Sequence, residues 1–142
     1  MTSSIKYTNQ SAFDTGLAGI RGQGYKPSAS DPPGKCMYRG ENGLKCVVGH
    51  CVPDELAMIM DEREGSTIVV LINSGPLGVR ELFESVSVAM LSDMQYVHDG
   101  LALLGRKVSD TSYIIARNHF ERGMKSIAQN YGLTYTAPTV ST

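Results

Sequence analysis

The sequence predicts an α+β fold, a mainly helical single domain with one β-hairpin packed on two long amphipathic helices. Two stretches, residues 79–104 and 111–131, repeat apolar side chains at three-four spacing. Two short β-prone runs, Cys36-Met-Tyr-Arg39 and Leu44-Lys-Cys-Val47, flank Gly40-Glu-Asn-Gly43, whose Asn42-Gly43 pair tolerates positive φ. A chain of 142 residues, 42% apolar, suits one domain that buries its own core, with residues 1–8 and 134–142 expected to be flexible ends.

The elements follow in order. Phe13, Leu17 and Ile20 form one stripe and predict a helix over residues 11–23, with Ser11 and Asp14 as a weak cap. Gly16 and Gly19 cost that helix stability but admit a close neighbour. Residues 25–35 hold three prolines and read as a loop, which leads into the predicted hairpin. Val52-Pro53-Asp54-Glu55 opens a further helix, since proline suits a first turn and acids complement the helix dipole. Residues 66–73 stay open between a strand, favoured by β-branching, and a short buried helix. Val79, Leu82, Phe83, Val86, Met90, Met94, Val97, Leu101 and Leu104 then predict one long helix that Gly100 kinks or splits. Ser109 or Asp110 caps the last helix, whose buried face is Tyr113, Ala116, Phe120, Met124, Ile127 and Tyr131, and Gly132 stops it.

Charge excludes some function classes. Thirteen basic and fourteen acidic residues leave a net charge of -1, which argues against dedicated nucleic-acid binding. The first ten residues lack a signal peptide's apolar core, and the longest aliphatic run, residues 68–72, is too short for a membrane span. The expectation is a cytoplasmic protein whose three cysteines are thiols, metal ligands or small hydrophobes.

All three cysteines fall between Lys35 and Glu55, and that segment suggests four chemistries. Cys36, Cys46, His50 and Cys51 supply the ligand types of a zinc site, although adjacent His50 and Cys51 must turn toward one ion. Cys46 or Cys51 is a nucleophile candidate paired with His98, Asp99 completing the set with Cys46, and Cys51 lies near a helix start that lowers a thiol pKa, a shift that the nearby acids oppose. His98-Asp99 also has the residue types of helical metal-dependent phosphohydrolases, but Asp110 is too close to complete that set. The plain alternative makes His98 a structural histidine beside the apolar stripe. Tyr38, Arg39, Lys45 and His50 combine an aromatic plane with cations and suit an anionic nucleotide, against the alternative of an ordinary solvated hairpin.

The segment Cys36-Met-Tyr-Arg-Gly-Glu-Asn-Gly-Leu-Lys-Cys-Val-Val-Gly49, with Val52-Pro-Asp-Glu55 and Gln95-Tyr-Val-His-Asp99, resembles a family of small uncharacterised proteins of tailed phages and bacterial genomes. The resemblance follows element order over residues 10–131, and the cysteine segment is its specific part. It implies a phage-type accessory protein in a host cytoplasm and implies no catalytic residue. The chain departs from the pattern at His50-Cys51, where apolar residues are typical, and around residues 73–78. The expected function is a non-enzymatic binder or inhibitor of a host defence component, capturing a host protein or a small signalling nucleotide, with no cofactor and with a homodimer as one assembly. The alternative is a cysteine- or metal-dependent hydrolase using Cys46, His98 and Asp99.

Overall fold

A computed structural model describes residues 6–28, 37–40, 43–62, 67–103 and 110–138. Among these residues the protein is helical, with no strand: α1 (Asn9–Gly22), a 3₁₀ turn (Val48–Cys51), α2 (Asp54–Glu62), α3 (Ile68–Ser74), α4 (Leu77–Leu82), α5 (Val88–Leu103) and α6 (Asp110–Tyr131). This corrects the predicted α+β class. α5 is central, packing on α6, α3 and the 3₁₀ turn, while α1 covers that turn.

The predicted hairpin is replaced by an irregular segment, for reasons that lie in its hydrogen bonds. The chain does reverse at the glycine turn, where Gly40 N–H donates to the Leu44 carbonyl at 2.8 Å and Gly43 has φ +75°. Beyond the turn, side chains from elsewhere take the groups a β-ladder needs. Asp61 accepts from the N–H groups of Tyr38 and Arg39 at 2.8 and 3.0 Å. Gln23 bonds both the N–H and the carbonyl of Lys45, and Gln95 accepts from Val48 N–H at 3.0 Å. The side-chain pattern also fails to alternate, because Cys46, Val47 and Val48 are all fully buried. Cys36, Glu41 and Asn42 lie outside the described residues.

α1 begins earlier than predicted because Thr8, rather than Ser11, is its cap. Thr8 Oγ1 accepts from Ser11 N–H at 3.0 Å and Ser11 Oγ accepts from Thr8 N–H at 2.8 Å, a reciprocal capping box. Its glycines admit neighbours: a Cβ on Gly16 would stand 2.6 Å from Val47 and 2.9 Å from Met94, and one on Gly19 would collide with the His50 ring. At the end of α1 the chain turns through Gly24 and Tyr25, both at positive φ. Tyr25 sits in the left-handed region at φ +60°, a costly place for a non-glycine residue. Its ring packs on Phe120, and its hydroxyl donates to Glu121 at 2.9 Å.

Of the ambiguous run at 66–73, the described residues form helix α3 behind Thr67, whose Oγ1 caps it by accepting from Val70 N–H at 3.3 Å. The single helix expected over 79–104 is, among the described residues, two helices, α4 and α5. The break falls at residues 83–87, where Ser87 Oγ caps α5 by accepting from Met90 N–H at 3.2 Å, and Ser87 N–H donates to Asn9 at 2.7 Å. Gly100 does not split α5; it leaves space for His119 of α6. Gly132, at φ +67°, closes α6 as predicted, with Leu133 N–H on the Ala128 carbonyl at 2.8 Å.

The core is continuous from α1 to α6. Phe13, Ile20, Met90, Leu91, Met94, Phe120 and Met124 are fully buried, with Val47 and Val48 among them. Both described ends are tied down. Tyr7 N–H reaches the Leu82 carbonyl at 3.1 Å, Lys6 pairs with Glu84 at 2.7 Å, and Gln10 bonds Thr134 at both its N–H and its carbonyl.

Candidate functional site

The described part of the cysteine segment places Cys46, Val47 and Val48 in the core, and Arg39 organises it. Its guanidinium donates to the carbonyls of Tyr38, Gly49 and Val52 at 3.0, 2.7 and 2.8 Å, and to Asp54 at 2.8 Å. These contacts tie the glycine turn to the 3₁₀ turn and to the start of α2. Arg39 also holds the Asp54 carboxyl below its ordinary range by hydrogen bond and charge. Tyr38 is buried, so its ring offers no face to a nucleotide base. The cation and the aromatic plane that suggested nucleotide capture therefore serve the fold.

His50 and Lys45 meet at Gln23. The His50 Nε2–H donates to Gln23 Oε1 at 2.9 Å, and the same oxygen accepts from Lys45 N–H at 3.2 Å. Burial lowers the His50 pKa from 6.5 to about 4, helped by the charges of Lys45 and Arg39 and by His98. At neutral pH His50 is an uncharged hydrogen-bond donor, so it adds no cation for a phosphate. Tyr38, Arg39, Lys45 and His50 thus lie within one segment but form no shared outward face.

The nucleophile set is also built inward. Cys46 is fully buried, and its sulfur accepts from Gly49 N–H at 3.3 Å and from Gln95 Nε2 at 3.5 Å. His98, 1% exposed, lies one turn beyond Gln95 on α5. Its Nε2 accepts from Ser28 N–H at 3.0 Å, so the ring proton sits on Nδ1 and faces Asp99 at 3.1 Å. His98 thereby pins the loop after α1, while the Asp99 side chain is mainly in solvent. Cys51 also departs from expectation: burial, and the neighbouring Cys46, push its thiol up to about 12, and its S–H points at the Ala12 carbonyl. The lowered pKa expected beside a helix start does not arise, because the thiol is packed beneath α1. Among the described residues no three His, Cys, Asp or Glu side chains group as metal ligands; Cys36 of the zinc set is outside them. No described helix is long and apolar enough to cross a membrane.

Two features escaped the sequence reading. One is a buried charged cluster around Glu121, which accepts from Arg21 at 2.7 and 2.8 Å, from Tyr25, and from Tyr135 at 2.6 Å. Burial pushes this carboxyl up, but the donors and the Arg21 charge outweigh it and hold it below the ordinary carboxylate range. Arg21 continues to the Thr136 carbonyl at 2.7 Å, so the cluster joins α1, α6 and the segment after α6.

The other feature is a set of exposed apolar side chains on α2, α3 and α4. Met58 is 62% exposed and Leu77 60%, with Ile59, Val69 and Val70 also in solvent. Leu56 of α2 lies against Gly78 of α4, and α3 packs on α4, so the three helices adjoin. Glu55 and Glu62 share a sector of roughly 100° of α2 with Met58 and Ile59. A signal was present in the sequence: Ala57-Met-Ile-Met60 is apolar at four successive positions, and a helix cannot turn four successive side chains inward. No family model, curated relative or solved structure matches the chain.

Proposed function

We propose that this chain is a non-enzymatic binding protein that holds a partner protein on the exposed apolar face of α2, α3 and α4. One observation carries the reading: Met58 and Leu77 stand 62% and 60% exposed on adjoining helices while Cys46, His98 and Tyr38 are buried. Apolar side chains gathered on a surface mark interaction sites. Exposed Glu55 and Glu62 share the α2 sector of Met58 and Ile59, so the partner that fits presents a cationic amphipathic helix. The resemblance at the cysteine segment supports a phage-type accessory role, with a host defence protein as that partner. A signalling nucleotide fits less well, since Arg39 and the Tyr38 ring are occupied within the fold.

The test is fluorescence anisotropy with two labelled synthetic helices, one of leucine and lysine and one of leucine and glutamate. The cationic helix should bind and the anionic one should not. Met58→Asp combined with Leu77→Asp should weaken binding roughly tenfold or more and leave the thermal midpoint near that of wild type. Equal affinity of the double variant, or no binding of the cationic helix, defeats the reading.

A further inference from the structure

We infer that a second copy of this chain can occupy the α2–α4 face, laying its own α6 across it in a head-to-tail contact. The inference rests on the proposed binding face and names one occupant for it. The occupant's chemistry is present in the molecule. Ile114 and Ile115 are 46% and 47% exposed on α6, and Arg122 and Lys125 are exposed on the same helix. At 100° per residue these four side chains fall within a sector of roughly 100°, the same width as the Glu55, Met58, Ile59 and Glu62 sector of α2. One surface is apolar and acidic, the other apolar and cationic.

The fold keeps the two surfaces apart within one molecule. α6 packs on α5, while α2, which carries the acids, is not among the helices packed on α6. A contact between them joins two copies, and laid head to tail it is heterologous and propagates into rings or short filaments. In such a contact the isoleucines of α6 meet Met58 and Ile59, while Arg122 and Lys125 approach Glu55 and Glu62 of α2. Self-association and partner binding then compete for one face, and a cationic partner helix disperses the assemblies.

Sedimentation velocity on the full chain tests this, over a wide range of protein concentration and at low and high salt. The average mass should rise above 15.3 kDa with concentration and fall with added salt. A variant carrying Glu55→Lys and Glu62→Lys, and another carrying Arg122→Glu and Lys125→Glu, should each stay monomeric. Mixed, they should assemble again, because each reversed face now finds its complement. Thermal melts confirm that each variant is folded; Ile115→Asp, outside the charge exchange, should weaken assembly roughly tenfold by itself. A wild-type mass that stays at the monomer value, or a mixture that fails to assemble, overturns the inference. If the wild type is monomeric and the leucine-lysine helix still binds, the self-contact fails alone and the binding face stands.

Discussion

Arg39 shows how one side chain takes on a structural role that its sequence context disguises. Beside a turn, next to a tyrosine and near a lysine, it has the look of an anion ligand. In the fold its planar fork matches three carbonyls instead, at Tyr38, Gly49 and Val52. Arg39→Ala removes the guanidinium donors from these partly buried acceptors, Gly49 keeping only its 3.4 Å bond from Val52 N–H, and should cost about 2–4 kcal/mol. The Asp54 arm lies in solvent and adds little to that loss. Arg39→Lys should recover only a minor part, since one ammonium nitrogen cannot stand where both terminal guanidinium nitrogens reach their carbonyls. Chemical denaturation of both variants checks this, and a wild-type midpoint for Arg39→Ala would refute the clamp.

At the scale of elements, caps decide where helices begin, and short-range residues decide the caps. Thr8 with Ser11, Thr67 and Ser87 each place a side-chain oxygen on an early N–H of a helix. The apolar spacing across residues 79–104 is unbroken in sequence, yet the helix breaks where Ser87 offers a cap and Asn9 takes its N–H. Periodicity reports which side chains face the core and is blind to an interruption that keeps the same face inward. Thr8→Ala removes half of the reciprocal box and should destabilise the protein by about 1 kcal/mol. A lower thermal midpoint and faster amide exchange confined to the first turn of α1 are the expected readouts.

For the molecule as a whole, buried ionisable groups set how stability responds to acid. His50 has a lower pKa folded than unfolded, so below pH 6.5 the unfolded chain takes up a proton that the folded chain refuses. Stability therefore falls as the pH drops from 6.5 toward about 4. Glu121 has its carboxyl pKa lowered by folding, so its contribution is present above the ordinary carboxylate range and is lost as pH falls through its own lowered value. Two successive losses are expected in thermal midpoints measured against pH, the first from the histidine and the second from the carboxylate. His50→Gln should flatten the first and leave the second. An unchanged slope between pH 6.5 and 4 in that variant would remove His50 as its source.

Residues close in sequence settled much of the helix plan. The stripe of Phe13, Leu17 and Ile20, the acids at the start of α2, and the Gly132 stop each act within a few positions, so a linear reading finds them. The reading of His98 as a structural histidine was equally available, from its place beside the apolar stripe. The hairpin and the outward cationic cluster failed because their outcome depended on distant side chains. Asp61, Gln23 and Gln95 reach across 22, 22 and 47 residues to take the backbone groups of the cysteine segment. A buried backbone group accepts whichever partner the packing brings to it. Which partner arrives depends on how α1, α2 and α5 converge, and no local pattern in the segment encodes that convergence.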